Sequence, residues 1–510
     1  MPVLQRISLT LILIAVLGGC SSLPEGIDHP TEPPTSPAPS SLSVLTNEFQ
    51  PEALEQGTTA VRLQESGWDA LAQRLALVES AEHTIDIQYY IWNSDESGSY
   101  LASRLLAAAE RGVKVRVMLD DINLNEREGL LSALDAHPNV EIRIFNPTPT
   151  RRGLSKWLSF VGDFSRLNRR MHNKSFTVDG TLSVVGGRNI GDEYFDLSDE
   201  INFRDRDVLV MGSVVNTIQT SFVEYWNSRW SYPVDMLDDD EQPDLSKIDN
   251  IVVPHYQNYP ELPLDRKAAD SLLKEVIGEM AWVNARFVYD QPVPDDSDNT
   301  DEPKATAILL GKLASESKQE ILLESAYLVF DDGQLEEWQV LNNKGVEIKA
   351  LTNSMASNDL VTNHSAYAGR RYDMLEHGID LFELKPESKL CEASTQDVSK
   401  CAPETAYGLH AKSVVFDRSI ASIGSFNFNL RSTYLNTESV LIIENKEIAE
   451  TLADTIEQAM SEDNSWRLEL EDGDVYWYSG DQRWDSEPDT GQWERMQSGF
   501  LQLLPIEKYL

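Results

Sequence analysis

The sequence contains an internal repeat with a period of about 238 residues. A period this long indicates a duplicated domain and argues against a solenoid of short repeats. Three apolar segments recur in the same order, namely 85–91 with 321–328, 112–117 with 345–350, and 140–147 with 379–386. These runs are typical of buried strands, and helical stretches separate them. The sequence therefore predicts an α/β fold of two repeats, each a mixed sheet flanked by helices.

A polar motif recurs at the end of each repeat with identical spacing. The members are His172, Lys174, Asp179, Gly186 and Asn189 in the first repeat, and His410, Lys412, Asp417, Gly424 and Asn427 in the second. Side chains alternate along a strand, so His-x-Lys on extended backbone places both side chains on one face. Two such halves facing each other would surround one pocket with two histidines, two lysines and two asparagines.

This set of residues suits the cleavage of a phosphodiester. Lysine and asparagine can hold the non-bridging oxygens as charge develops, while one neutral histidine attacks phosphorus and a second, protonated, protonates the leaving alkoxide. The candidate catalytic residues are His172, Lys174, Asp179, His410, Lys412 and Asp417, and the candidate phosphate-binding residues are Asn189, Asn427 and Ser425. The position of each aspartate after strand residues favours a structural role at a turn. The chemistry requires no cofactor, and we expect no metal.

Each histidine needs an acceptor that orients its second ring nitrogen. Two acids stand beside apolar strands that follow the motifs, Glu438 in the second repeat and Asp207 in the first. We expect Glu438 to orient His410 and Asp207 to orient His172, with Asp205 as the rival of Asp207.

The doubled pattern His-x-Lys-x4-Asp-x6-Gly-x2-Asn is similar to the signature of the phospholipase D superfamily. Longer stretches resemble bacterial cardiolipin synthases of the branch that pairs phosphatidylglycerol with phosphatidylethanolamine, at 171–176, 185–195, 427–432 and 504–507. The resemblance covers roughly residues 55–510. It implies two repeats packed pseudo-twofold around one active site and a covalent phosphohistidine on the N-terminal motif. His172 is then the nucleophile and His410 the general acid.

The resemblance leaves the acceptor open. An alcohol as acceptor gives cardiolipin synthesis, whereas water gives a hydrolytic phospholipase D with the same residues. A nuclease and a non-catalytic lipid-binding envelope protein are less favoured, since a net charge of −41 repels nucleic acid and both motifs are intact. The expected partners are phosphatidylglycerol, with phosphatidylethanolamine as a second candidate, and no nucleic acid. The sequence gives no oligomeric state.

The N-terminal residues 1–20 resemble a lipoprotein signal peptide. A short apolar run ends in Leu17-Gly18-Gly19-Cys20, where Cys20 would become the lipidated N-terminus. The alternative is a plain signal peptide with an incidental cysteine. Residues 21–55 contain a proline-rich stretch and are predicted to be a disordered tether. We expect a lipid-anchored protein of the bacterial envelope that faces the periplasm, and Ser21 favours the outer membrane over the inner.

The remaining chain divides into a first repeat (56–231), an inter-repeat connection (232–300), a second repeat (301–462) and a C-terminal extension (463–510). Cys391 and Cys401 are expected to form a disulfide, with two free thiols as the alternative. Residues 151–174 are a cationic, amphipathic island that admits anionic phospholipid or is a solvated surface helix. The apolar end of the extension packs on the core or contacts a membrane surface.

Overall fold

The computed structural model describes residues 32–34, 39–49, 58–124, 128–148, 164–237, 248, 251, 253–254, 259–292, 302–395, 397–403 and 405–502. None of the helices in this described part is long and apolar enough to cross a membrane. The predicted signal peptide, Cys20 and residues 151–163 of the cationic island lie outside the described residues.

The first repeat is built on a mixed sheet. Its strands are β1 (Thr59–Gln64), β2 (Thr84–Tyr89), β3 (Lys114–Asp120), β4 (Val140–Phe145), β5 (Ser175–Val178), β6 (Leu182–Gly186), β7 (Ile201–Arg204), β8 (Asp207–Gly212) and β9 (Ser231–Pro233). The order across the sheet is β9-β4-β3-β2-β5-β6-β8-β1, in which β2, β3 and β4 are parallel. β7 lies apart from this sheet.

The second repeat has the same arrangement. Its strands are β10 (Ala281–Tyr289), β11 (Glu320–Ser325), β12 (Glu347–Asn353), β13 (Asp380–Leu384), β14 (Ala406–Leu409), β15 (Lys412–Phe416), β16 (Ile420–Gly424), β17 (Ser439–Glu444), β18 (Ser465–Glu471), β19 (Asp474–Ser479) and β20 (Gln482–Trp484). The order is β20-β19-β18-β13-β12-β11-β15-β16-β17-β10, with β11, β12 and β13 parallel. The predicted fold of two mixed sheets is confirmed.

The two sheets join into one eighteen-stranded sheet where β1 pairs antiparallel with β10. The fourteen helices of the described residues are α1 (Ser41–Glu48), α2 (Gly67–Ser80), α3 (Glu96–Glu110), α4 (Glu128–Asp135), α5 (Phe164–Leu167), α6 (Ser213–Trp226), α7 (Arg266–Gly278), α8 (Ala305–Glu316), α9 (Asp332–Asn343), α10 (Val361–Glu376), α11 (Lys389–Ser394), α12 (Leu430–Tyr434), α13 (Lys446–Met460) and α14 (Gln492–Leu501). One apolar core, which includes side chains of α6 and α13, spans both repeats. Each repeat adds its own core on the opposite face. Helices therefore cover both faces of the joined sheet.

Two parts of the predicted domain division differ from the structure. Residues 41–48 of the expected tether form helix α1, whose Leu42 is buried and whose Ser40 caps the first turn. Strand β10 lies within the expected connection, yet its first three residues pair with β1 and the other six pair with β17. Pairing of backbone groups and burial of a few apolar side chains outweigh the polar composition that suggested linkers.

The extension after residue 462 is part of the second repeat. Strands β18 to β20 continue its sheet beyond β13, and α14 packs on α10. Cys391 and Cys401 form a disulfide with a Cα–Cα distance of 5.8 Å. This bond closes a loop immediately before β14, the strand that leads into the second motif.

Candidate active site

Each motif enters its strand at the boundary between the two repeats. His172 donates its backbone N–H to the carbonyl of Thr437 at 2.9 Å, and Thr437 donates to the carbonyl of Arg170 at 2.9 Å. In the same way His410 donates to the carbonyl of Arg204 at 2.8 Å, and β14 pairs in parallel with β7. Each histidine is therefore fixed by the backbone of the other repeat.

Each lysine lies two residues after its histidine, and the alternation of side chains along an extended strand directs both to the same face. All four side chains are almost fully buried. Lys174 donates from Nζ to the carbonyl of His172 at 2.8 Å, and Lys412 makes the same contact with His410. Because each ammonium lies beside its own histidine, the motifs place positive charge where an anionic phosphate would be bound.

The orienting acids are exchanged between the repeats. His172 Nδ1 lies 2.8 Å from Glu438 Oε2, and His410 Nδ1 lies 2.5 Å from Asp205 Oδ2. The expected pairings of Glu438 with His410 and of Asp207 with His172 are therefore wrong. Neither nitrogen Nε2 is engaged by these acids, so both stay available for chemistry.

Sheet register explains the correction. Gly186 lies opposite Asp207 in the pairing of β6 with β8, whereas Gly424 lies opposite Val440 in the pairing of β16 with β17. The position equivalent to Glu438 is therefore that of Asp205. More residues separate Asn189 from Asp205 than separate Asn427 from Glu438. The spacing from the motif therefore could not identify Asp205 as the equivalent of Glu438.

Glu438 is held by donors from its own repeat. Its carboxylate accepts hydrogen bonds from the hydroxyls of Ser425 at 2.5 Å and Ser432 at 2.6 Å, and its backbone N–H donates to Asp290 at 2.9 Å. Ser425 was predicted to bind phosphate. The structure instead directs its hydroxyl at Glu438, so it positions the acid that orients His172.

The first repeat supports its acid differently. Gly187 occupies the position of Ser425, and a Cβ there would lie 2.4 Å from Asp205 Oδ1. That same oxygen accepts the backbone N–H of Arg206 at 2.7 Å. Glycine is required because a side chain would displace the carboxylate that holds His410.

Asp207 forms ion pairs with arginines and supports the second histidine indirectly. It is buried against two arginines, at 2.7 Å from Arg74 Nη2 and 3.4 Å from Arg188 Nε. Arg188 in turn donates to the backbone carbonyls of Asp205 at 2.7 Å and Tyr194 at 2.8 Å. Asp207 therefore helps to fix Asp205 and Tyr194, two of the residues that contact His410.

The asparagines of the two motifs differ in their partners. Asn189 donates from Nδ2 to the hydroxyl of Tyr194 at 3.1 Å and accepts the N–H of Ile91 at 3.2 Å. The side-chain oxygen of Asn427 is buried and has no hydrogen-bond partner among the described residues. Buried amides are normally satisfied, and an amide oxygen can only accept, so this atom can take a hydrogen bond from a donor group of a ligand.

Asp179 and Asp417 stand at the far end of the motif strands. Asp179 accepts the backbone N–H groups of Glu82, His83 and Thr84 at 2.8 to 3.0 Å. Asp417 accepts those of Lys318 at 2.9 Å, Gln319 at 2.8 Å and Glu320 at 3.1 Å. Their assignment as catalytic residues is not supported, because both anchor turns that lead into β2 and β11.

Aromatic rings enclose both histidines, although none of these rings belongs to either motif. Tyr90 meets His172 edge-on with ring centroids 4.8 Å apart, and the Nζ of Lys174 lies 5.5 Å from the same ring. Tyr194 and Phe203 contact His410 at 5.0 and 5.5 Å. Tyr90 directly follows β2, and residues that follow the end of a strand are often found at ligand sites. This position after a strand is the sequence signal that could have identified Tyr90 as a site residue.

Burial dominates the electrostatics of the site. It lowers the pKa of His172 to about 4 and of His410 to about 3, so both imidazoles are neutral at pH 7. It also lowers the pKa of Lys174 to about 7 and of Lys412 to about 8.

The orienting acids are ionised. Burial alone would raise the pKa of Glu438, but His172 and the nearby lysine charge hold it below its usual value. The same opposition, with His410 as the partner, lowers the pKa of Asp205. Each carboxylate therefore accepts the Nδ1–H of a neutral histidine, which leaves a lone pair on Nε2.

The described residues contain no group of three or more histidine, cysteine, aspartate or glutamate side chains arranged to hold a metal ion.

The family model described as "Cardiolipin synthase, PLD-like domain" matches residues 75–226 and 310–460, which is more than half of the chain and includes both motifs. The chain belongs to this family. The matched segments begin within α2 and α8, before the first parallel strand of each repeat.

Individual relatives extend the match beyond the two segments. Cardiolipin synthase C of Escherichia coli (strain K12) is 37% identical over 457 residues, which is 87% of this chain and 94% of that protein. The major cardiolipin synthase ClsA of Bacillus subtilis (strain 168) is 26% identical over 395 residues, covering 77% of this chain and 67% of that protein.

A solved structure shows the same fold at low sequence identity. The crystal structure of phosphatidylserine synthase from Haemophilus influenzae Rd KW20 superimposes with a TM-score of 0.57 at 12% identity. The match covers 91% of this chain and all of that one. The joined two-repeat architecture is therefore common to both.

Proposed function

We propose that the protein transfers a phosphatidyl group from one phospholipid to an alcohol through a phosphohistidine, and that the product is cardiolipin. The observation that carries this proposal is the crossed pairing of His172 with Glu438 and of His410 with Asp205. It gives two histidines with free Nε2 atoms beside two buried lysines. Membership of the cardiolipin synthase family supports the choice of lipid substrates.

The first step forms the phosphohistidine. Nε2 of neutral His172 attacks the phosphorus of the donor lipid, and the bond from phosphorus to the headgroup oxygen breaks. His410, protonated on Nε2, gives that proton to the departing alkoxide, so the headgroup leaves as an alcohol. The ammonium groups of the lysines and the amide N–H groups of Asn427 donate hydrogen bonds to the non-bridging oxygens while charge develops on them.

The second step reverses these roles. The hydroxyl of an acceptor lipid passes its proton to Nε2 of His410 while its oxygen attacks phosphorus, and the bond from phosphorus to His172 breaks. With the glycerol hydroxyl of phosphatidylglycerol as acceptor, the product is cardiolipin. Phosphatidylglycerol or phosphatidylethanolamine serves as the donor, with release of glycerol or ethanolamine.

The proton on His410 arrives together with the substrate. In the free protein the charge of Lys412 adds to burial in lowering the pKa of His410. A bound phosphodiester anion offsets the lysine charge, which raises the pKa of His410 toward its ordinary value. The general acid therefore becomes protonated at the moment when an alkoxide must leave.

Hydrolysis is the alternative reaction, because water can take the place of the alcohol without any change of catalytic residue. A transferase has to keep water from the phosphohistidine. Tyr90 packs on the proposed nucleophile His172, and Tyr194 and Phe203 pack on His410. This aromatic enclosure favours the transferase over hydrolytic phospholipase D.

The location of the protein is part of the proposal. We place it in the bacterial envelope, anchored through a lipid on Cys20 and facing the periplasm, with the outer membrane favoured. The apolar run before Cys20 and the proline-rich stretch after it support this placement. Mass analysis of the mature N-terminus tests it, since lipidation adds acyl chains and removes residues 1–19.

The experiment that tests the reaction uses vesicles of labelled phosphatidylglycerol with or without phosphatidylethanolamine, and mass spectrometry of the products. Cardiolipin formed by the native chain and absent with His172→Ala supports the proposal. Asp179→Asn is the matched control, because it changes a motif residue outside the site and should retain activity. Phosphatidic acid as the sole product assigns the hydrolase, and no turnover of any lipid contradicts both.

A further inference from the structure

The last helix of the described chain turns an apolar face to solvent. Trp493, Met496 and Phe500 of α14 are 64%, 58% and 66% exposed. Their spacing of three and four residues puts them on one face of the helix. The opposite side packs on α10 and buries Ser498. The exposed side chains are therefore held in place by a helix that is itself anchored.

Two more exposed apolar residues continue this surface. Leu360 and Val361 at the start of α10 are exposed, and Val361 faces α14 across a groove of about 580 Å³. Gln497 and Leu501 complete the lining of that groove together with the exposed residues of α14. We name the five residues Leu360, Val361, Trp493, Met496 and Phe500 the apolar ridge. A cluster of apolar side chains on a solvent-exposed surface often marks a docking surface.

The apolar ridge begins beside the catalytic site. Asp359, the residue before Leu360, accepts hydrogen bonds from the hydroxyl of Tyr327 at 2.9 and 3.0 Å. Burial raises the pKa of Tyr194, which packs on His410, and lowers the pKa of Lys412, and the negative charge of Asp359 contributes an increase to both. Asp359 therefore stands at the rim of the site, and the ridge extends outward from that rim.

We propose that the apolar ridge inserts into the surface of a lipid bilayer and holds the catalytic site at the depth of the phospholipid headgroups. The inference rests on the proposed function, which requires a phosphodiester at that surface. Aromatic and aliphatic side chains on one helix face are the usual contact of a helix that lies in the interface.

The distribution of charge indicates that the apolar ridge would bind a bilayer through its apolar side chains and not through attraction between opposite charges. The chain has a net charge of −41, whereas α14 has one acidic and one basic residue and no net charge. An anionic bilayer would repel most of the surface but not this helix. We therefore expect docking that persists at high salt, since screening weakens charge attraction and leaves apolar burial intact.

The depth of the ridge is measured on the full chain reconstituted in vesicles of phosphatidylcholine and phosphatidylglycerol. His172→Ala prevents consumption of the lipid. A fluorescent dye is placed at Met496→Cys or, as the matched control, at Val340→Cys, an exposed apolar residue of α9. The disulfide protects Cys391 and Cys401 from labelling. Both proteins are tethered alike, so a difference reports the position of the ridge.

Insertion predicts that brominated acyl chains quench the dye at 496 and that iodide in the buffer does not reach it. The dye at 340 should show the reverse. Equal behaviour at the two positions overturns the proposal. Shielding of 496 from iodide without quenching by brominated lipid, together with self-association of the chain, also overturns it and assigns the ridge to a second copy.

A kinetic test separates the ridge from the chemistry. The ratio of the rate on vesicle lipid to the rate on dispersed short-chain lipid should fall by about tenfold in Trp493→Ser/Phe500→Ser, because less apolar area is buried in the bilayer. Ile308→Ser/Val340→Ser, which changes exposed residues elsewhere, should keep the native ratio. An unchanged ratio in the ridge variant contradicts the proposal. Insertion at 496 with no lipid turnover would retain the ridge and reject the proposed function.

Discussion

Replacing Glu438 with glutamine tests which histidine forms the covalent bond. The carboxylate is fully buried and accepts Nδ1–H of His172 at 2.8 Å. Positive charge develops on this imidazole as Nε2 binds phosphorus, and a hydrogen bond to a charged partner contributes roughly 1.5–3 kcal/mol. Its loss alone slows the step by about 10- to 150-fold. The amide also disturbs the tautomer, so the total loss can reach about 10⁴-fold.

The assay is rapid-quench measurement of the phosphohistidine with two phosphodiesters that differ in leaving group. Glu438→Gln should slow the burst with both, because nucleophilic attack precedes any need for an acid. The matched variant Asp205→Asn should slow the burst only with an alkyl leaving group. A p-nitrophenyl leaving group departs without a proton, so that variant should form the intermediate at nearly the native rate and hold it longer.

Two results would refute this reasoning. If Asp205→Asn abolished the burst with the p-nitrophenyl ester and Glu438→Gln did not, His410 would be the nucleophile. If both variants matched the native protein with both esters, the crossed acids would have no part in the chemistry. Thermal unfolding of each variant provides the control, since an unpaired buried donor costs about 1–3 kcal/mol of stability.

Three further predictions concern the lysines, the motif aspartates and a glycine. The pKa values of Lys174 and Lys412, about 7 and 8, predict that an anionic phosphate analogue binds with proton uptake. Affinity should therefore fall as pH rises through this range, and calorimetry in buffers of different ionisation enthalpy measures the uptake; equal heats in all buffers would argue against it. Asp179→Ala should lower the free energy of unfolding by about 1–3 kcal/mol, and by more than Asp417→Ala, because the backbone donors of Asp417 are more exposed. The kcat per folded molecule should stay native in both variants, and a selective loss of kcat would assign these residues to the catalytic site. Gly187→Ala should lower activity at least about a hundredfold because its Cβ would strike the carboxylate that holds the second histidine; near-native rates would contradict that close contact.

The sequence predicted the fold and the pairing of each histidine with its lysine on one strand face because both depend on local patterns. Apolar runs of strand length and their repetition define the two sheets, and His-x-Lys on extended backbone needs only the period of two. The turn role of Asp179 followed from its place after a strand, and the structure shows three backbone donors there. These features involve residues close in the chain or aligned by the repeat itself.

The crossed acids could not be predicted because they depend on contacts between the repeats. Glu438 stands just before β17, and Asp207 is the first residue of β8. Their similar positions suggested equivalence, but the register opposite Gly186 and Gly424 assigns that role to Asp205. A pattern in one chain segment does not state which face of another segment it will meet. Ser425 was misassigned because its hydroxyl meets an acid of its own repeat that lies 13 residues farther along the chain.

The pseudo-twofold site nevertheless gives its two histidines different surroundings, and the differences match different duties. Glu438 divides its charge among His172 and two serine hydroxyls, whereas Asp205 Oδ2 accepts only His410 among the described residues. After burial, the largest influence on the pKa of His172 is its carboxylate, while for His410 it is Lys412. A phosphate anion bound at the lysines offsets this influence and raises the pKa of His410. In the proposed mechanism, the substrate itself thereby makes His410 the acid, while His172 is the nucleophile.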